Sequence, residues 1–239
     1  MGALLKFIWA TATHKGMVRE ANEDAFFPTS DGKTEDKVTL IVADGMGGHV
    51  AGEVASRLAI NAAASSQLDP ADRVAAGNRA IREEVGRQPN LEGMGTTMTL
   101  LELSVDSGAH LAHVGDSRAY LFRNGELKQV TDDHTVLAEY VAAGKLTEEE
   151  AVNHPQRHMI TRCLGLTRFI NVDEVVMDVE PGDRFLLCSD GLNSMVDDDG
   201  IAEGLSEKAP EEAAWKLVEM ANEAGGQDNI TVIVADVLG

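Results

Sequence analysis

Three stretches of the chain share one design, an apolar run that stops on an aspartate. LIVAD ends at Asp44, LAHVGD at Asp116 and FLLCSD at Asp190. Asp228 stands just before a further apolar run, and Glu23 and Asp24 sit together near the start. A single Asp-Gly pair is ordinarily a turn. Several strand-terminal aspartates that converge are another matter, because like charges in a low-dielectric cleft repel and force protonation. Hard divalent cations remove that cost and prefer oxygen ligands. Two such ions close together can share one carboxylate and activate a water between them. No Lys or Arg follows Asp44 until Arg57, and no His or Cys cluster is present. An oxygen-only set of this kind points to Mg2+ or Mn2+ rather than zinc.

Other phosphate chemistry fits poorly. Gly45 and Gly47 would need a third glycine at Val50 for a dinucleotide fingerprint, and no Lys-Ser/Thr pair follows a glycine loop.

The elements that must position these carboxylates can be read from period and punctuation. Residues 1–15 read as an opening strand, Asp31-Gly32 as a hairpin turn and 38–43 as a strand buried on both faces. Helical spacing runs from Glu53 to Leu68. Asp69-Pro70 predicts a second helix to Arg87, with a side-chain cap, proline in the first turn and a weak point at Gly77. Strands follow at 96–105, 109–114, 118–122 and 127–130, the last two joined by Asn124-Gly125. Three or four strands in succession without helices between them indicate an α+β plan with antiparallel sheets. A short helix at 135–143 and a capping box at Thr147–Glu150 come next. From 152 to 167 the pattern fades, over a length that suits a functional segment better than a structureless loop. Strands at 172–179 and 183–188, a helix from Pro210 to about Asn222 and a strand at 230–234 complete the chain. With no repeat, linker or low-complexity tract, 239 residues read as one domain.

A formal net charge of −20 argues against nucleic-acid and anionic-membrane partners. It suits metal ions or cationic partners. Cys163 and Cys188 give neither metal-ligand spacing nor a disulfide framework, so a reducing cytoplasm is expected. Lys6 interrupts the short apolar start, so no signal peptide is expected, and no apolar run reaches the length of a membrane span.

Six segments in order resemble one family. They are REANEDAFF from Arg19, VADGMGGHVAGEVAS from Val42, GMGTTMTL from Gly93, HLAHVGDSRAYLFRNGEL from His110, CSDGL from Cys188 and GGQDNITVIVAD from Gly225. Each is weak alone. Together, spanning Arg19 to Asp236, they are similar to the metal-dependent serine/threonine protein phosphatases of the protein phosphatase 2C family in its compact bacterial form.

That resemblance implies a four-layer α-β-β-α sandwich, two mostly antiparallel sheets flanked by helices. It implies two Mn2+ or Mg2+ ions per chain and a third held weakly. Asp44 would bridge the pair and the Gly45 carbonyl would bind one ion, with Asp190 and Asp228 completing the other. Asp24, with Glu23 beside it, would hold waters on the metals, and Asp116 with Asp190 matches the third position. Arg19 would grip the substrate phosphate, a role that suits the guanidinium fork; its ordinary alternative is an ion pair with Glu20 or Glu23. Asn229 is expected to orient Asp228, and Thr96 and Thr97 to pack or bond to backbone. The implied reaction is direct attack of a water on phosphorus in phosphoserine or phosphothreonine proteins, with no covalent phospho-enzyme. Where the animal branch carries a His after the Asp-Gly pair, this chain has Met46, so His49 or a metal-bound water is left to protonate the leaving oxygen. Residues 134–167 correspond to the family's variable flap; His154 and His158 there are expected to be solvated. A monomer acting on the substrates of a cognate kinase is expected. A non-catalytic phosphoprotein-binding regulator is the alternative, favoured only by degenerate ligands, and these are in place. An acidic divalent-ion buffer with no enzymatic role would gather its ligands in one loop, as a helix-loop-helix calcium site does; here they are scattered along the chain.

Overall fold

Strict alternation along the long strands sends neighbouring side chains to opposite faces, and the fold uses both. The computed structural model describes residues 5–47, 50–152, 154–156 and 158–239. Its first strands are β1 (Lys6–His14), β2 (Ala25–Phe27), β3 (Gly32–Thr34), β4 (Lys37–Ala43) and β5 (Gly45–Met46). Helices α1 (Val50–Ala64) and α2 (Pro70–Arg87) follow. The middle of the chain forms β6 (Gly95–Thr96), β7 (Met98–Ser104), β8 (Gly108–Val114), β9 (Arg118–Arg123) and β10 (Glu126–Gln129). After α3 (Val136–Ala142) and α4 (Glu148–Val152) come β11 (Asp173–Met177) and β12 (Arg184–Cys188). Helices α5 (Asp190–Asn193), α6 (Asp198–Leu205) and α7 (Pro210–Glu223) precede β13 (Ile230–Leu238).

One sheet runs β10-β9-β12-β13-β1-β3 and the other β11-β8-β7-β4-β2; β5 and β6 form a small third ladder. Every named pair is antiparallel. Leu40, Val42, Leu101, Phe185, Leu187 and Ile233 meet between the two large sheets. Their neighbours point outward. Ile41, Leu100 and Ala112 pack under α1 and α2, while Leu186, Cys188 and Val234 pack under α6 and α7. Three apolar seams separate four layers, which is the sandwich expected. Truncating a fully buried leucine such as Leu40 to alanine would cost about 2–5 kcal/mol.

Several local expectations need correction. Asp31-Gly32 is not a hairpin turn: Asp31 Oδ1 accepts from Thr11 N at 2.8 Å, and Gly32 starts β3, paired to β1 against the Trp9 ring. Asp69 flanks α2 but its side chain makes no capping bond; Pro70 sets the first turn instead. The 96–105 strand is broken at Thr97 into β6 and β7. Gly77 does not weaken α2 without return. A Cβ there would lie 3.3 Å from the Ala59 backbone, so the glycine lets α1 and α2 approach. The Thr147–Glu150 capping box forms with both reciprocal bonds, 2.9 and 3.2 Å.

Candidate active site

Strand register gathers the carboxylates. In the second sheet Ala25 faces Ala43, Val42 faces Thr99, and Met98 faces Val114. Continued by one residue, and by two between β4 and β7, that register lines up Asp24, Asp44, Thr97 and Gly115 across one sheet end. Asp116 follows Gly115, whose φ of +114° and contact with Thr97 exclude a side chain. In the first sheet β12 and β13 run antiparallel, so the end of one, at Asp190, meets the start of the other, at Asp228. The two ends are tied together. Ser189 Oγ donates to Asp24 Oδ2 at 2.7 Å, and Asn229 Oδ1 accepts from Glu23 N at 2.7 Å.

Thr96 and Thr97 fix Asp44 through its main chain. Thr97 Oγ1 accepts from Asp44 N at 2.9 Å, and the Thr97 N–H and Thr96 hydroxyl both donate to the Asp44 carbonyl, at 2.9 and 2.8 Å. Thr97 also meets Ser117 Oγ at 2.7 Å. Neither threonine is spare for reaction, as expected. At the break between β6 and β7 the Asp44 N–H bonds the Thr97 hydroxyl, while the Thr97 carbonyl accepts from the Thr96 hydroxyl.

Together the groups surround a cavity of about 580 Å3, lined among others by Arg19, Asp44, Asp116, His158, Asp190 and Asp228. Burial raises the Asp44 carboxyl well above the ordinary range, and the charges of Asp24, Asp190, Asp116 and Asp228 add to it. Burial, then Asp190 and Asp228, push Asp24 up to about 7, although the nearby hydroxyls of Thr231 and Ser189 oppose the shift. Asp116 is pushed up to about 7 by burial and then by Asp190 and Asp133. Asp24 Oδ1 is sealed from solvent with no hydrogen-bond partner. A buried, orphaned carboxylate oxygen among repelling carboxylates is what a divalent cation would correct. Among the described residues no three His, Cys, Asp or Glu side chains already close on one point. The donor set is all oxygen and fits Mg2+ or Mn2+.

Arg19 departs from its expected alternatives. It pairs with Asp228, Nη2 to Oδ2 at 2.7 Å, rather than with Glu20 or Glu23. Asn229 departs too. Its main-chain N–H donates to Asp228 Oδ1 at 2.8 Å, while its side chain clamps Lys15 O, Ala21 O and Glu23 N. Glu23 packs against Gly52 at the start of α1. His49 lies outside the described residues. His158 is exposed, as expected of a solvated histidine, and also lines the cavity, with Nδ1 3.5 Å from Asp190 Oδ2. Ser189, Ser117 and His158 had no sequence signal beyond adjacency to an aspartate or position in an irregular segment.

A family model described as Protein phosphatase 2C matches residues 13–210. The chain belongs to the protein phosphatase 2C family. Among its relatives in that family, the chain is 43% identical to the serine/threonine protein phosphatase PstP of Mycobacterium tuberculosis, over 96% of this chain but 45% of PstP. The chain thus spans about half the length of that relative. It is 36% identical to the serine/threonine phosphatase stp of Listeria monocytogenes, over 94% of this chain and 93% of stp. Among solved members of the protein phosphatase 2C family, the catalytic domain of PstP in complex with two manganese ions superposes with a TM-score of 0.87 at 40% identity. That match covers 98% of this chain and all of the other. Among the described residues, no helix is long and apolar enough to cross a membrane.

Proposed function

We propose that this chain is a metal-dependent serine/threonine protein phosphatase that hydrolyses phosphoserine and phosphothreonine in proteins. The observation that carries the reading is the gathering of Asp24, Asp44, Asp116, Asp190 and Asp228 at one mouth, with the carboxyl pKa values of Asp24, Asp44 and Asp116 raised and an orphaned Asp24 oxygen. Asp44, the Gly45 carbonyl, Asp190 and Asp228 would hold two ions; Asp24 and Glu23 would hold their waters, and Asp116 with Asp190 a third ion. When bound, the ions supply an acidified water and offset charge on phosphoryl oxygens.

The chain's own groups do the rest. The Thr96–Thr97 pair fixes the Asp44 main chain, so the carboxylate that would be shared is presented from a rigid strand end. Arg19 is exposed and held by one carboxylate. It must leave Asp228 to grip two phosphate oxygens, which its planar fork suits. The cavity is open enough to admit a side chain carrying phosphate, and residues 134–167 would act as a flap beside it, with Thr135 and Ile160 bridged at its base.

Cys163 and Cys188 are free and buried, consistent with a reducing cytoplasm. We infer a monomer acting on the products of a cognate kinase. The test is release of phosphate from a phosphothreonine peptide with Mn2+. Activity that survives chelation or Asp44→Asn would overturn the reading.

A further inference from the structure

Among the described arginines of this acidic chain, few lack a carboxylate partner. Each of the other described arginines forms an ion pair with a carboxylate. Arg79, Arg82 and Arg168 form none among the described residues, and all three line one cavity of about 500 Å3 between α2 and the 165–170 turn. Glu83 stands at its rim without closing a pair with any of them. We propose that this cavity is an anion-recognition site, separate from the carboxylate cluster, for a phosphorylated acidic polypeptide segment.

The site is built rather than accidental. Arg79 and Arg82 lie three residues apart on α2 and share a face, where like charges repel and destabilise a helix unless an anion joins them. Arg168 is brought to that face by a buried asparagine. Asn78 Oδ1 accepts from Gly165 N at 2.7 Å, and Asn78 Nδ2 donates to Thr167 O at 3.1 Å. The Thr167 hydroxyl then closes the turn on Phe169 O at 2.8 Å. Asn78 is 2% exposed, so the register between turn and helix is fixed before any ligand arrives. The Arg168 guanidinium lies 5.3 Å from the centre of the Phe169 ring, which is itself 81% exposed. Arginine forks beside an aromatic and an apolar floor suit phosphate or carboxylate on a side chain.

The occupant is argued from charge and size. Three guanidiniums can neutralise one phosphate and a neighbouring acid. A nucleic acid or an anionic bilayer is extended, and would bring the rest of its charge against a strongly acidic surface. A short acidic peptide meets only the patch.

The inference rests on the phosphatase reading for its source of phosphorylated segments, and the test separates the two. Enzyme freed of divalent ions by EDTA cannot consume its ligand. Fluorescein-labelled peptides carrying phosphothreonine among glutamates, the same peptide with threonine and glutamine, a 20-nucleotide RNA and anionic vesicles are titrated against it by polarisation or flotation. The chain is compared with R79Q/R82Q/R168Q. The acidic phosphopeptide is expected to bind, and the triple variant to bind it about tenfold more weakly, which is three exposed pairs lost (~1.4 kcal/mol). Mn2+-dependent hydrolysis of p-nitrophenyl phosphate, which needs the carboxylate cluster and Arg19 but not this cavity, is expected unchanged in the variant and also reports that it folds. Equal affinity of the two proteins overturns the site. Tighter binding of RNA or vesicles through the same arginines overturns the peptide assignment. Absence of hydrolysis in both proteins overturns the phosphatase reading while leaving the binding result standing.

Discussion

Asp24→Asn should make the metal-free protein more stable. Burial and the charges of Asp190 and Asp228 hold the Asp24 carboxyl at about 7, against an ordinary 3.8. A carboxyl raised in the folded state binds protons there that the unfolded chain has released. Stability therefore falls as pH rises from about 4 towards 7 and stays low above that. Three units at ~1.36 kcal/mol each put the cost near 4 kcal/mol at pH 8. Some of this returns with the amide, whose Nδ2 has no evident acceptor, although its oxygen can still accept from Ser189 Oγ. A net gain of about 2 kcal/mol would raise Tm by about 4–8 °C for a chain of this size. Differential scanning calorimetry in EDTA at pH 8 measures it, and at pH 5 the gain should shrink to under about half. Saturating Mn2+ should reverse the order, because the native chain then gains binding energy that the variant lacks. A lower Tm for Asp24→Asn in EDTA at pH 8 would refute the argument that the carboxylates are held against their mutual repulsion.

Thr97→Val removes a hydroxyl that accepts from Asp44 N and meets Ser117 Oγ, and should cost about 1–3 kcal/mol in urea unfolding. It should also weaken Mn2+ binding by calorimetry; unchanged affinity would mean that Asp44 needs no such anchor. Arg19→Ala should lower kcat/KM on a phosphothreonine peptide by about 10²–10³-fold, with Arg19→Lys recovering only part; full recovery by lysine would exclude a forked grip. Arg184 is buried, pairs with Asp236 and donates to the carbonyls of Leu205 and Lys208. Arg184→Ala should therefore cost about 3–5 kcal/mol in denaturant unfolding, and a loss below about 1 kcal/mol would show that the network is solvated.

The large elements and the aspartates were legible because they are long, periodic or punctuated. The Asn124-Gly125 hairpin is one such case: both residues take positive φ, 55° and 83°. What escaped was short or depended on distant partners. β2 and β3 have three residues each, too few to show a period. α6 was invisible because Gly200 and Gly204 depress helix propensity. Gly204 is explained by packing, since a Cβ there would lie 2.6 Å from Leu217 Cδ2. The Arg19–Asp228 pair spans 209 positions, and the Asn229 clamp on Ala21 spans 208. No local pattern encodes either. That His158 also faces Asp190 is not legible, because nothing in an irregular stretch says which way an imidazole faces.

Anomalous X-ray diffraction at the manganese edge, from crystals grown with Mn2+, tests the central claim most directly. The account requires two strong peaks sharing Asp44, with Asp190 and Asp228 drawn onto one of them and Arg19 released from Asp228. Carboxylates that stay dispersed, with no peak between Asp44, Asp190 and Asp228, would contradict it.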